Sequence, residues 1–334
     1  LVTPSPRFAL DDVPLYVPKP PVPRAGGPSH RLFLNENPHP PLPSVVQVIS
    51  DAAQGANWYP EIAPTELVRA LAHRLDVPET DVVTGPGSVG IYQQIGQAML
   101  ADGDEVGYAW PSFEAYPIVT RTAGARAVEV PLRDGRHDLA AMAARVTART
   151  RAVFICNPNN PTGTAVRRAE LVSLLDQLPP SVLVVLDEAY HEFVRDPDVP
   201  DGIDLYRKWP NVLVLRTFSK AYGLAGLRVG YAVARRPIAE ALRKCAVPCG
   251  VGRIAVQAAL ASLSVEDELF ARVDSLVGER ERLRAELLAC GLPVPPSEAN
   301  FLWLGLGPAA TDVARRLESE GLLTRLFPGL GIRL

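Results

Sequence analysis

Leu67, Leu71 and Leu75 recur every four residues and predict one face of an amphipathic helix. Ile91, Ile95 and Met99 do the same for a second helix, which follows the short strand and glycine turn of "TDVVTGPGS". Downstream the pattern changes. "DEVGYA", "RAVEVPL", "RAVFICNPNN", "SVLVVLDEAY" and "NVLVLRTFSK" are strand-like, and several are almost continuously apolar rather than alternating. Strands covered on both faces read this way. Helical segments separate most of them, so the pattern predicts an α/β fold around a largely parallel sheet. Beyond Ala234, long Ala-, Leu-, Arg- and Glu-rich stretches over 236–289 read as helices, and "EANFLWLGL" reads as a strand. Val313 and Leu317 mark a further helix that Gly321 can end, and "GLLTR" and "GIRL" read as short strands. The proline-rich opening, with "YVPKPPVPR", cannot be helical and reads as an extended arm. The expected division is an arm at 1–44, a large α/β domain at 45–235 and a smaller α+β domain at 236–334.

Composition narrows the classes. The chain has 334 residues, 47% of them hydrophobic, enough for a large core and more than one domain. A net charge of −3 gives no nucleic-acid or membrane footprint. No apolar run reaches the length that spans a bilayer, and the first residues lack a signal-peptide pattern. The four cysteines, Cys156, Cys245, Cys249 and Cys290, form no CxxC pair, and the five histidines are scattered. Neither a disulfide framework nor a structural metal is expected, and a reduced, cytoplasmic setting fits.

Three buried-strand runs end in polar clusters: Asn157 to Thr162, Asp187 to Tyr190, and Thr217 to Lys220. In open parallel sheets, active groups gather outside the carboxyl ends of the strands. Lys220, once deprotonated, can form a Schiff base with an aldehyde. Asp187 emerges from "VLVVL", and a buried carboxylate needs a positive partner, such as a protonated pyridine nitrogen. Tyr190 and Asn160 offer hydrogen bonds to a phenolic oxygen. Ser88 and the glycines of "TGPGS", at a helix start, suit an anion, with Thr217, Ser219 and Arg228 adding donors. Together these describe a receptor for pyridoxal phosphate. Each piece alone has a plainer reading: a capping aspartate, a packed tyrosine, a solvated lysine, a surface ion pair. Their order along successive strand ends favours the shared site.

"FLNENP", "YPE", "NPNNPTGT", "DEAY" and "RTFSKAYGLAGLRVGY" follow one another over nearly the whole chain. This set resembles the fold-type I pyridoxal-phosphate aminotransferases, and within them the histidinol-phosphate aminotransferase group. The resemblance implies a seven-stranded central sheet. It also implies Lys220 as the Schiff-base lysine, Asp187 on the pyridine nitrogen, and Asn160 and Tyr190 on the ring oxygen. Thr217, Ser219 and Arg228 would bind phosphate, as would the amides of Gly87, Ser88 and Val89, while Phe113 would stack on the ring. Tyr59 would reach the phosphate of a partner subunit, making the active unit a homodimer. Tyr16, Asn35, Glu36, Arg325 and Arg333 match substrate-pocket positions. The family continues past the counterpart of "GIRL", so a last helix is expected beyond Leu334. The short spacing between Arg325 and Arg333 is read as missing a few residues.

Some positions depart from the histidinol-phosphate pattern. Val89 stands where an acidic residue is common, and "SFEAYP" replaces "TYxxY". "GPGSV", "QQ", "SFEAYP" and "VPCGV" resemble the aromatic-amino-acid aminotransferase branch of actinobacteria. The implied reaction is transamination between aromatic L-amino acids and 2-oxoglutarate, with Lys220 moving the Cα proton. Histidinol-phosphate transamination is the alternative. A phosphorylated-amino-acid decarboxylase would use the same cofactor shell, and a non-enzymatic binding module would need no such shell.

Overall fold

The computed structural model describes Leu10, Val13 and residues 29–334. Its strands are β1 (His30–Arg31), β2 (Val82–Gly85), β3 (Glu105–Trp110), β4 (Arg126–Pro131), β5 (Thr150–Cys156), β6 (Leu183–Asp187), β7 (Val212–Thr217), β8 (Gly230–Val233), β9 (Trp303–Leu304), β10 (Leu322–Leu323), β11 (Arg325–Phe327) and β12 (Gly331–Arg333). Seven form a central sheet in the order β2-β8-β7-β6-β5-β3-β4. The β3–β4, β3–β5, β5–β6 and β6–β7 pairs are parallel, and β8 is antiparallel to β7 and β2. The mostly parallel seven-stranded sheet expected from the sequence is present.

The continuous apolar runs have a direct physical reading. Alternate residues of β6 enter different cores, Leu183 and Val185 on one face of the sheet, Val184 and Leu186 on the other. Leu213 and Leu215 of β7 join the first core, Val212 and Val214 the second. Side chains alternate across a strand, so a strand buried on both faces must be apolar at every position. The polar residues that end these strands inherit the same alternation. Asp187 and Thr217 continue the first face, Glu188 and Arg216 the second.

Helices Thr65–Leu75 and Gly87–Met99 carry the predicted leucine and isoleucine faces. The stretch read as helical beyond residue 234 contains helices Arg236–Lys244, Arg253–Ser264 and Glu266–Ala289. A separate antiparallel sheet, β11-β12-β9, packs through Leu304 and Ile332 with helix Ala310–Ser319 nearby. "EANFLWLGL" yields only the two residues of β9. Ser297 Oγ donates to the Phe301 carbonyl oxygen at 2.7 Å and accepts from the Ala299 N–H at 3.2 Å, a local turn that competes with strand pairing. β11 and β12 form a hairpin whose register sets Arg325 opposite Arg333, so their short spacing is that of a closed turn. Residues 30–31, within the expected arm, form β1 and pair in parallel with β10. No helix among the described residues is long and apolar enough to cross a membrane.

Candidate active site

Asp187 ends β6 and is 2% exposed. Its Oδ2 accepts from the Tyr92 hydroxyl at 2.9 Å and the Tyr116 hydroxyl at 3.0 Å, and its Oδ1 from the Ala189 N–H at 3.2 Å. All three donors are neutral. Burial pushes the carboxyl up to about 6, against the pull of the two phenols. This is a desolvated acid that would be fully ionised beside a cation.

Lys220 follows β7 by three residues. Its Nζ donates to the carbonyl oxygens of Leu34 at 2.9 Å and Asn35 at 3.2 Å, and lies 5.7 Å from the Tyr190 ring centroid. Burial, and next the charge of Arg333, bring its amine down to about 8. Such a group carries an available lone pair near neutral pH, as a nucleophile or proton carrier requires.

Tyr190 is buried, and its hydroxyl accepts from Asn35 Nδ2 at 2.9 Å. Burial pushes its phenol up, opposed by the charge of Arg333. Asn160 is buried, and its Oδ1 accepts from Arg333 Nη1. Arg333 Nη2 donates to the Phe33 carbonyl oxygen at 2.5 Å, which ties β12 to the segment before Asn35. Asn35 has φ +53° and a buried Oδ1 with no hydrogen-bond partner. An orphaned acceptor here suits a donor from a bound molecule. Glu36 instead accepts from Arg31 Nη2 at 3.1 Å near the surface.

A second cluster lies at the start of helix Gly87–Met99, where Ser88 and Val89 follow Gly87. Gly87 has φ +72°, and a Cβ there would come within 2.3 Å of Arg228 Nη2. The absence of a side chain lets that guanidinium lie against the helix start. Arg228 Nη1 donates to Ser219 Oγ at 3.2 Å and the Ala225 carbonyl oxygen at 3.0 Å, both uncharged. Thr217 Oγ1 donates to Ser219 Oγ at 3.0 Å. Free N–H groups, two hydroxyls and a guanidinium converge as a phosphate receptor does.

Phe113 meets Tyr116 edge-on with ring centroids 5.6 Å apart, which links it to the Asp187 shell. Arg325 Nη2 is bonded to both carboxylate oxygens of Glu114, at 2.5 and 2.6 Å. Tyr59 stands apart from these groups and is 91% exposed. Tyr16 lies outside the described residues.

Three groups escaped the sequence reading. Tyr92 and Tyr116 hold Asp187, and Asn37 Nδ2 donates to the carbonyl oxygens of Lys220 and Ala221 at 3.3 and 3.0 Å. A signal existed for the tyrosines. Tyr92 lies four residues after Ser88, one helical turn along the same face, and Tyr116 three after Phe113.

The set fits a phosphorylated pyridine aldehyde. Lys220 offers an amine to an aldehyde, Asp187 has no cation bonded to it among the described residues, and Arg228 faces an anion-ready helix start.

Comparison with known proteins agrees. The family description "Aminotransferase class I and II" matches residues 31–327. An aromatic amino acid aminotransferase of Streptomyces coelicolor is 55% identical over 99% of this chain and 93% of its own length. One of Thermobifida fusca is 56% identical over 98% of this chain and 91% of its own. Among solved structures, the histidinol-phosphate aminotransferase of Sinorhizobium meliloti in complex with pyridoxal-5′-phosphate superposes with a TM-score of 0.85 at 32% identity. It covers 91% of this chain and 85% of that one.

Proposed function

The chain belongs to the class I and II aminotransferases, and from that premise we propose that it exchanges amino groups between aromatic L-amino acids and 2-oxoglutarate. It is a pyridoxal-phosphate-dependent transaminase acting on amino acids and 2-oxo acids. Aromatic L-amino acids are the donors we propose. The observation that carries it is near-full-length identity of about one half to relatives named for aromatic amino acids.

Pyridoxal 5′-phosphate, when bound, supplies the electron sink for the pair left behind by the substrate Cα proton. In the proposed assignment Lys220 Nζ takes that proton and delivers it again, with a basicity suited to neutral pH. Asp187 holds positive charge on the ring nitrogen, and the phenols of Tyr92 and Tyr116 fix its carboxylate. Asn160 and Tyr190 would hold the ring oxygen, and Phe113 would stack on the ring. The amides of Gly87, Ser88 and Val89 hold the phosphate with Thr217, Ser219 and Arg228. Arg333 takes the substrate carboxylate, a bidentate role suited to a planar guanidinium. Asn35 and Arg325 would border the rest of the substrate, a role that the family resemblance also gives to Tyr16. Division at residues 44 and 235, and a cytoplasmic location supported by free thiols, belong to the same proposal.

A homodimer is also part of it. Trp58, Tyr59, Ile62 and Val247 are exposed, and Cys249 Sγ lies 3.6 Å from the Pro60 carbonyl oxygen, so their two segments adjoin. An exposed apolar patch of this kind marks an interface, and Tyr59 would then serve the partner's phosphate. Mixing Tyr59→Phe chains with Lys220→Ala chains tests this. Shared sites leave each hybrid dimer about one fully wild-type site; sites built from one chain leave none.

The substrate test is a half-reaction screen. Cofactor-loaded protein is mixed with phenylalanine, tyrosine or histidinol phosphate at equal concentration, and the cofactor absorbance is followed. Phenylalanine and tyrosine should react faster. A tenfold or greater preference for histidinol phosphate, about 1.4 kcal/mol in transition-state binding, would promote the second reading. That reading is favoured by the likeness to the Sinorhizobium meliloti enzyme.

A further inference from the structure

We propose that Glu114 determines substrate specificity as a charge filter, admitting a neutral aromatic side chain and rejecting one that ends in a phosphate-like dianion. The proposal rests on the reading above that Arg325 borders the substrate.

Glu114 precedes helix Ala115–Thr122 at its N-cap, a position where the shorter Ser, Thr, Asp and Asn are the usual acceptors for the first N–H groups. It makes no such bond. Both its oxygens go instead to Arg325 Nη2, across 211 residues of sequence. The pair is not sealed in a core. The side chains are 46% and 31% exposed for Glu114 and Arg325, so a molecule entering from solvent can meet both. Its stabilising effect is correspondingly small, as for other exposed ion pairs.

Its position is more informative than its strength. Arg325 stands opposite Arg333 in the β11–β12 hairpin, and Arg333 reaches Asn160. Glu114 directly follows Phe113, whose ring meets Tyr116. The ion pair therefore links two segments that each lead into the site. An anionic group aimed at Arg325 must displace Glu114 and then remain near its negative charge. A dianion meets the larger repulsion. A phenyl ring needs no cation and can leave the pair closed. The same pair makes an anionic acceptor such as 2-oxoglutarate compete for Arg325, with the smaller penalty of a single distal charge.

The test uses two unreactive probes that lack an amino group, 3-phenylpropanoate and 3-phosphonopropanoate. Their dissociation constants for the cofactor-loaded protein are measured by calorimetry in wild type and Glu114→Gln. The ratio of the two constants should move toward the phosphonate by at least fivefold in the variant. A shift below fivefold overturns the proposal, because the carboxylate then does not set the preference. Glu114→Ala gives the same readout should the glutamine variant fail to fold. The underlying reading fails separately, and visibly, if wild type binds the phosphonate more tightly than the phenyl probe.

Discussion

Asp187 and Glu188 are consecutive carboxylates at the end of one buried strand, and they face opposite sides of the sheet. Glu188 arrives with its cation. Arg216 Nε and Nη2 donate to its Oε2 at 2.9 and 2.8 Å, and the Gly202 N–H donates to Oε1 at 2.7 Å. Arg216 is bonded to Asp201 as well, so one guanidinium serves two carboxylates on this side of the sheet. Asp187 has two phenols and one amide but, among the described residues, no guanidinium or ammonium bonded to it. Burial raises both acids, Asp187 to about 6 and Glu188 to about 7, the latter against the pull of Arg216. A structural carboxylate is completed by its own chain; a functional one is completed by what binds.

The largest expected effect lies on the Asp187 face. Lys220→Ala should keep the fold and lose transamination by more than about 10³-fold, since both the nucleophile and the proton carrier are gone. Borohydride reduction and peptide mapping should place the cofactor on Lys220; a label on Lys208 or Lys244 would contradict this. Asp187→Asn should bind cofactor and slow the single-turnover rate on the order of 10²–10³-fold, the range for one preorganised electrostatic group. An unchanged single-turnover rate would make Asp187 structural, like its neighbour.

Across the sheet the expected pattern reverses. Arg216→Ala strands Glu188 and should cost about 3–5 kcal/mol of stability in denaturant unfolding. The molecules that remain folded should still take up cofactor. If uptake per folded molecule collapses while stability holds, the two faces are not separate in role. The smallest effect belongs to Tyr92→Phe. Tyr116 still donates to Asp187 Oδ2, so the loss is one hydrogen bond to a charged acceptor, about 1.5–3 kcal/mol at most. The rate should fall less than for Asp187→Asn, and a larger fall would give Tyr92 a role of its own.

The contrast between the two faces was half legible in the sequence. Lys220, Asp187 and the sheet announce themselves locally, through apolar runs that stop at polar residues. Tyr92 and Tyr116 do not, because each touches Asp187 from a helix 95 or 71 residues away. A tyrosine on a helix also reads as ordinary packing. Glu114 was hidden for the same reason, its partner lying 211 residues distant in a hairpin of three residue pairs. Arg216 was quoted within a motif, yet nothing in its spacing separates a structural arginine from a phosphate ligand. Only the alternation across β7 does.

The central claim is that Asp187 is an unpaired buried acid until the cofactor arrives. Its folded value of about 6 lies above the ordinary carboxylate range, so the native state holds the proton longer than the unfolded chain. Stability contributed by the protonated group is full at low pH and is lost as pH rises through about 6. The total is about 3 kcal/mol across the window from pH 4 to 7. The direct measurement is the unfolding free energy of cofactor-free wild type and Asp187→Asn across that window. Glu188 titrates in both proteins, and because its charge helps raise Asp187 the difference carries their coupling as well. The account predicts that wild type loses about 3 kcal/mol relative to the variant as pH rises from 4 to 7. A difference that stays flat, or wild type gaining on the variant, would show that the protein itself already supplies the charge that Asp187 needs.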